Sequence, residues 1–157
     1  MGGLSVNKLL VKLPRTAIIG GLLCASPALA QMLPPAAKAP SVAITHQPDL
    51  ESAHDDIAII RWTSTNPGGS DEHFGVVHYG KAPNALTETA KSHIRLNRGH
   101  ADTMFRVRID SLQPQTTYYY KVTSMGGDGT SDGMESDVNQ FTTPPPGQRI
   151  MHYPQPK

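Results

Sequence analysis

Between Ser41 and Thr142, apolar and polar residues alternate with a period of two. In "AIIRWT", Ala58, Ile60 and Trp62 share one face, and Ile59 and Arg61 the other. In "FGVVHYG", Val77 and Tyr79 oppose Val76 and His78. "TMFRVRID" puts Phe105, Val107 and Ile109 on one side and Arg106 and Arg108 on the other. This alternation predicts strands buried on one face. Turn-forming runs separate them: "NPGGSDE", "GKAPNA", "NRGHAD" and "GGDGTSDG". With "SVAIT", "TETAKS" and "DVNQFTT", the pattern predicts an all-β antiparallel sandwich of about seven short strands. The window "APNALTETAK" is the one helix candidate, and it has no clear apolar stripe.

The run Tyr118–Tyr119–Tyr120 sits in "TYYYKVTS". Neighbours in a strand point to opposite faces, so the three rings cannot stack on one another. Tyr118, Tyr120 and Val122 are expected inside, and Tyr119, Lys121 and Thr123 outside. The preceding "SLQPQT" reads as a corner between strands, which the Tyr118 hydroxyl is placed to pin to the backbone. Trp62, Tyr79, Leu112, Tyr118, Tyr120 and Phe141 form the expected structural set.

The two ends differ from this segment. Residues 1–30 read as a signal peptide. Lys8, Lys12 and Arg15 precede the short apolar run "TAIIGGLLCASPALA", which ends in a small-x-small cleavage pattern before Gln31. Residues 31–40 are a Pro/Ala-rich linker, residues 41–143 the folded domain, and residues 144–157 a Pro-rich tail expected to be disordered. Removing the leader leaves eleven Lys and Arg against thirteen Asp and Glu, a charge of about −2 with His neutral. No basic block points to nucleic acid. Cys24 leaves with the leader, which excludes disulfides and thiolate chemistry from the mature chain. An exported domain of this size is then held by its core alone.

With these residues in place, the chain resembles a fibronectin type III domain, and more narrowly the N-terminal domain of purple acid phosphatases. The resemblance rests on Trp62, on Val77-His78-Tyr79-Gly80, on Leu112, Pro114, Thr116, Tyr118, Tyr120 and Val122, and on Phe141-Thr142-Thr143-Pro144. It covers about Ala39 to Pro144. In that family the chemistry belongs to a second, larger domain, whose metal ligands lie in motifs such as G-D-x-G and G-H-x-H. This chain runs thirteen residues past Pro144, and Gly127-Asp128-Gly129 has no companion motif. The resemblance therefore implies the fold, and no family ligand carries over. No enzymatic activity and no cofactor are expected.

Seven histidines are present, none spaced as H-x-H or H-x-x-x-H, and all are read as solvated. "DGTSDGMESDVN" offers oxygens at calcium-loop spacing from Asp128, Thr130, Asp132, Ser136 and Asn139, with Gly133 at the sixth position. It lacks the bidentate Glu at the twelfth position, and the same residues make ordinary turns. No nucleophile motif or phosphate loop occurs. Arg61, Arg106, Arg108 and Lys121, with Tyr119 among them, are expected to share one outward sheet face, the candidate binding surface. The sequence thus predicts an exported, monomeric, non-catalytic binding or adhesion module, periplasmic or extracellular, with no membrane span after cleavage. Its expected partner is a protein or glycan at the envelope, not nucleic acid. The rival expectations are an accessory part of a separately encoded phosphatase and a truncated phosphatase.

Overall fold

A computed structural model of the chain describes residues 2–3 and 37–152. The chain divides into two units, 1–32 and 33–157. Of the first, Gly2 and Gly3 are described, so the expected signal peptide otherwise lies outside the described residues, as do linker residues 31–36.

The second unit contains nine strands among its described residues: β1 (Ile44–His54), β2 (Ala58–Thr65), β3 (Glu72–Gly80), β4 (Glu88–Arg95), β5 (Asp102–Ile109), β6 (Thr117–Gly126), β7 (Ser131–Glu135), β8 (Asn139–Thr142) and β9 (Arg149–Met151). They form two antiparallel sheets. One has the order β5-β2-β1-β9, and the other β4-β3-β6-β7 with β8 also on β6. This is the antiparallel β-sandwich that the alternation predicted, with nine strands among the described residues where about seven were expected, and it fits the fibronectin type III fold that the resemblance implied. The "APNALTETAK" window holds no helix; it is a turn that leads into β4.

The inward residues are those that the period of two selected. Ile60, Trp62, Phe105, Val107, Ile109 and Val122 have no exposed surface, each contributing on the order of 2 kcal/mol by leaving water. Trp62 stacks on Phe105 with ring centroids 5.1 Å apart. Opposite it lies Gly75 of β3. A Cβ built there would stand 2.9 Å from Trp62 Cη2 and 3.0 Å from both Phe105 and Val107. The absence of a side chain at residue 75 admits the indole.

The corner before β6 is pinned as expected. Gln113 N–H donates to the Tyr118 hydroxyl at 3.0 Å. Thr143 closes the same corner: its Oγ1 donates to Gln113 O at 2.6 Å and accepts from Thr116 N at 3.0 Å. Ser111 and Gln115 both take positive φ here. Tyr118 stacks on Phe141, and Tyr120 packs against the same ring. Tyr79 is only partly buried, its edge against Tyr118.

Two segments depart from expectation. The turn read over 126–133 is shorter, because Ser131–Glu135 pairs with β6 as β7. Gly133 at φ 75° accompanies a register irregularity in that pairing, and its turn-type composition hides the strand. The tail read as disordered from residue 144 carries β9, which pairs with Ser52–His54 of β1. The three prolines end β8, and the chain turns back far enough for Ile150 to lie opposite Ala53. His152 N then donates to Glu51 O.

Replacing Tyr118 with Phe removes the acceptor for Gln113 N–H. Urea unfolding is expected to show a loss of about 1 to 2 kcal/mol with an unchanged m-value. A loss under about 0.5 kcal/mol would mean that the hydroxyl does not hold the corner.

Candidate functional site

The expected binding face is divided between the two sheets. Arg61, Arg106 and Arg108 stand on the outer face of the β5-β2-β1-β9 sheet, whereas Tyr119 and Lys121 stand on the outer face of the other. The cause is pairing: β6 bonds to β3, β7 and β8, never to β2 or β5. Alternation separates inside from outside, but it does not say to which sheet a strand belongs.

The arginine face neutralises itself. Arg61 Nη2 lies 2.9 Å from Asp49 Oδ2, and Arg108 Nε lies 2.6 Å from Asp110 Oδ1. Arg106 grips Glu51 with two parallel hydrogen bonds, the planar match that guanidinium and carboxylate allow. These three cations are already served from within the domain.

The outer face of the β4-β3-β6-β7 sheet is different. Along β3 this face carries Phe74, His78 and the buried Val76, along β6 Tyr119, Lys121 and Thr123, and along β4 Lys91 and His93. His78 lies opposite Lys121, and its Nε2 is 3.1 Å from Thr123 Oγ1. Lys121 reaches Glu135 at 2.8 Å. Among the described residues Lys91 makes no ion pair. His93 packs edge-on against Phe74. The imidazole of His78 titrates below the ordinary histidine value. Partial burial is the main cause, Lys121 adds to it, Glu135 opposes it, and Lys91 adds further. The two cations therefore outweigh the one carboxylate at the centre of this face.

The calcium-spaced oxygens do not converge. Residues 131–135 are a strand, so successive side chains point to opposite faces. Asp128 caps its own turn, accepting from Thr130 N at 2.9 Å. Asp132 points inward, where its Oδ2 accepts from Ser124 Oγ at 2.8 Å. Ser136 Oγ accepts from Val122 N, and Asn139 opens β8. Among the described residues no three His, Cys, Asp or Glu side chains gather as metal ligands.

One histidine is not solvated. His73 is 2% exposed, with Nε2 at 3.3 Å from Asp132 Oδ1. A signal for it existed. His73, Gly75, Val77 and Tyr79 continue one inward row, but the glycine interrupts the apolar pattern that would have revealed it.

Residues 45–143 match the family described as the purple acid phosphatase N-terminal domain. The chain belongs to that family. The matched residues run from β1 through β8 and include the tyrosine corner. No curated protein matches the chain. Among solved structures it is similar to the sensor domain of the anti-sigma factor RsgI4 from Pseudobacteroides cellulosolvens, at 20% identity and a TM-score of 0.44, covering 72% of this chain and 97% of that one. It is also similar to the sixth fibronectin type III domain of human fibronectin type III domain containing protein 3, at 19% identity and a TM-score of 0.40, covering 73% and 92%. No helix of the described residues is long and apolar enough to cross a membrane.

In this purple acid phosphatase N-terminal domain, the His78 field is directly measurable. An NMR titration is expected to place its imidazole below the ordinary histidine range, and Lys121→Met is expected to move it upward. Because folding lowers this proton affinity, the associated stability is present above the ordinary histidine value. It is lost as pH falls through the folded one. An unmoved titration in Lys121→Met would show that Lys121 does not set the field.

Proposed function

We propose that this chain is an exported, non-catalytic binding module that uses the outer face of the β4-β3-β6-β7 sheet to hold an acidic protein or glycan at the envelope or outside the cell. The observation that carries the reading is the excess of cation over carboxylate around His78, beside Tyr119 and Phe74. Long-range attraction brings an acidic partner to such a face, and aromatic surface beside it adds contact area. The opposite sheet serves as the internal control, because its arginines are paired. Export is supported by the basic-then-apolar leader read over residues 1–30.

Family membership favours a second reading, in which the domain is an accessory part of a metal-dependent phosphatase encoded separately. Under that reading the isolated chain does not turn over p-nitrophenyl phosphate, and it changes the activity of the catalytic chain when added to it.

The test uses protein recovered outside the cytoplasm, with its N-terminus expected at Gln31. Binding to immobilised polyglutamate and to a polyuronic acid is expected to weaken with salt. The Lys91→Glu/Lys121→Glu double variant is expected to lose it, and Arg106→Glu to retain it. Equal losses in both variants, or no binding by the unaltered chain, contradict the assignment of this face.

A further inference from the structure

The loop end of the sandwich carries the β2–β3 and β6–β7 turns, and it encloses a cavity of about 160 Å³. His73, Asp132, Asp128, Thr130 and Ser70 line it, together with Lys38. The lining is rich in hydrogen-bond acceptors. His73 Nε2 lies 3.3 Å from Asp132 Oδ1, so in the neutral imidazole the proton sits on Nε2 and Nδ1 is a lone pair. Nδ1 has no hydrogen-bond partner among the described residues. Both side chains are almost wholly buried, at 2% and 1% exposed. A buried acceptor without a donor is costly and marks a place where a donor belongs. At the rim, the Asp128 carboxyl lies below the usual carboxylate range, chiefly through its hydrogen bonds with Thr130, with Lys38 contributing last.

The chain itself brings a donor to this cavity. Lys38 Nζ donates to Ser131 O at 3.1 Å. The segment that carries it is fitted to the turn: Ala39 N donates to Pro67 O at 2.8 Å. A Cβ at Gly68, where φ is +63°, would stand 2.2 Å from Ala37 O, so only glycine admits the strap there. A second cavity of about 200 Å³ is lined by Ala37 and shares Gly68, Gly69 and Ser70 with the first. Ala37 thus borders one pocket of this loop-end cleft and Lys38 the other.

We infer that this cleft is a binding site for a primary ammonium group, served in cis by Lys38 and open to the lysine side chain of a partner that displaces it. An ammonium offers three donors and no acceptor, which complements His73 Nδ1, the two carboxylates and the loop carbonyls. A divalent metal needs several ligands converging on one point, and no such group of His, Cys, Asp and Glu occurs among the described residues. This site is independent of the lysine-bearing sheet face.

The experiment is an NMR titration of the isotope-labelled chain and its Lys38→Met variant with n-butylammonium, with n-butanol as the neutral isostere and Ca²⁺ as the rival cation. In Lys38→Met the amides of residues 128–132 are expected to shift and saturate, with apparent affinity at least about five-fold above that of the unaltered chain, where Lys38 competes. Butanol is expected to give no such shift. Adding Asp128→Asn to Lys38→Met is expected to weaken the response. Lys38→Gln removes the charge with a polar chain and is expected to behave like Lys38→Met, which guards against an effect peculiar to one variant. Equal responses with and without Lys38, an equal response to butanol, or the same shifts produced by micromolar Ca²⁺ would overturn the inference.

Discussion

The interlock of Trp62 with Gly75 fixes how the two sheets meet. The indole is fully buried, stacked on Phe105, and directed at Gly75 of β3, where no side chain stands. This contact sets the phase of β3, because moving the strand by one residue would exchange its two faces. With Gly75 inward, His73, Val77 and Tyr79 also face inward, and Phe74, Val76 and His78 face out. The buried His73–Asp132 contact and the cationic outer face are therefore two consequences of one packing choice.

The two outer faces show how the same residue types produce different surfaces. Arginine on β2 and β5 meets carboxylates on β1 and at the end of β5, and the pairs satisfy one another. The exposed Arg106 and Arg108 pairs add little stability, and all three pairs leave little charge for a partner. On the other sheet, Lys121 has one carboxylate, and Lys91 makes no ion pair among the described residues.

Much of the fold was legible in the residues. The rows Ala58, Ile60, Trp62 and Phe105, Val107, Ile109 are buried as the period of two requires, and the Tyr118 corner forms where Leu112 and the following prolyl turn place it. What was not legible depends on partners distant in sequence. Nothing local to Lys121 says that β6 joins β3 instead of β2. β7 was concealed by Gly, Ser and Asp, which read as turn yet pair well enough beside a long neighbour. β9 follows three prolines and is three residues long, so its existence rests on the edge that β1 offers. His73 was read as solvated because its row contains a glycine, and that glycine is the residue that accommodates the indole.

Urea unfolding of Gly75→Ala tests the interlock most directly. A methyl group there must displace rigid aromatic rings, not a flexible chain end. The account predicts a loss of about 1 to 3 kcal/mol, with a changed Trp62 fluorescence in the folded state. A variant within about 0.5 kcal/mol of the unaltered chain, with unchanged fluorescence, would contradict it. The sheets would then not depend on residue 75 for their approach.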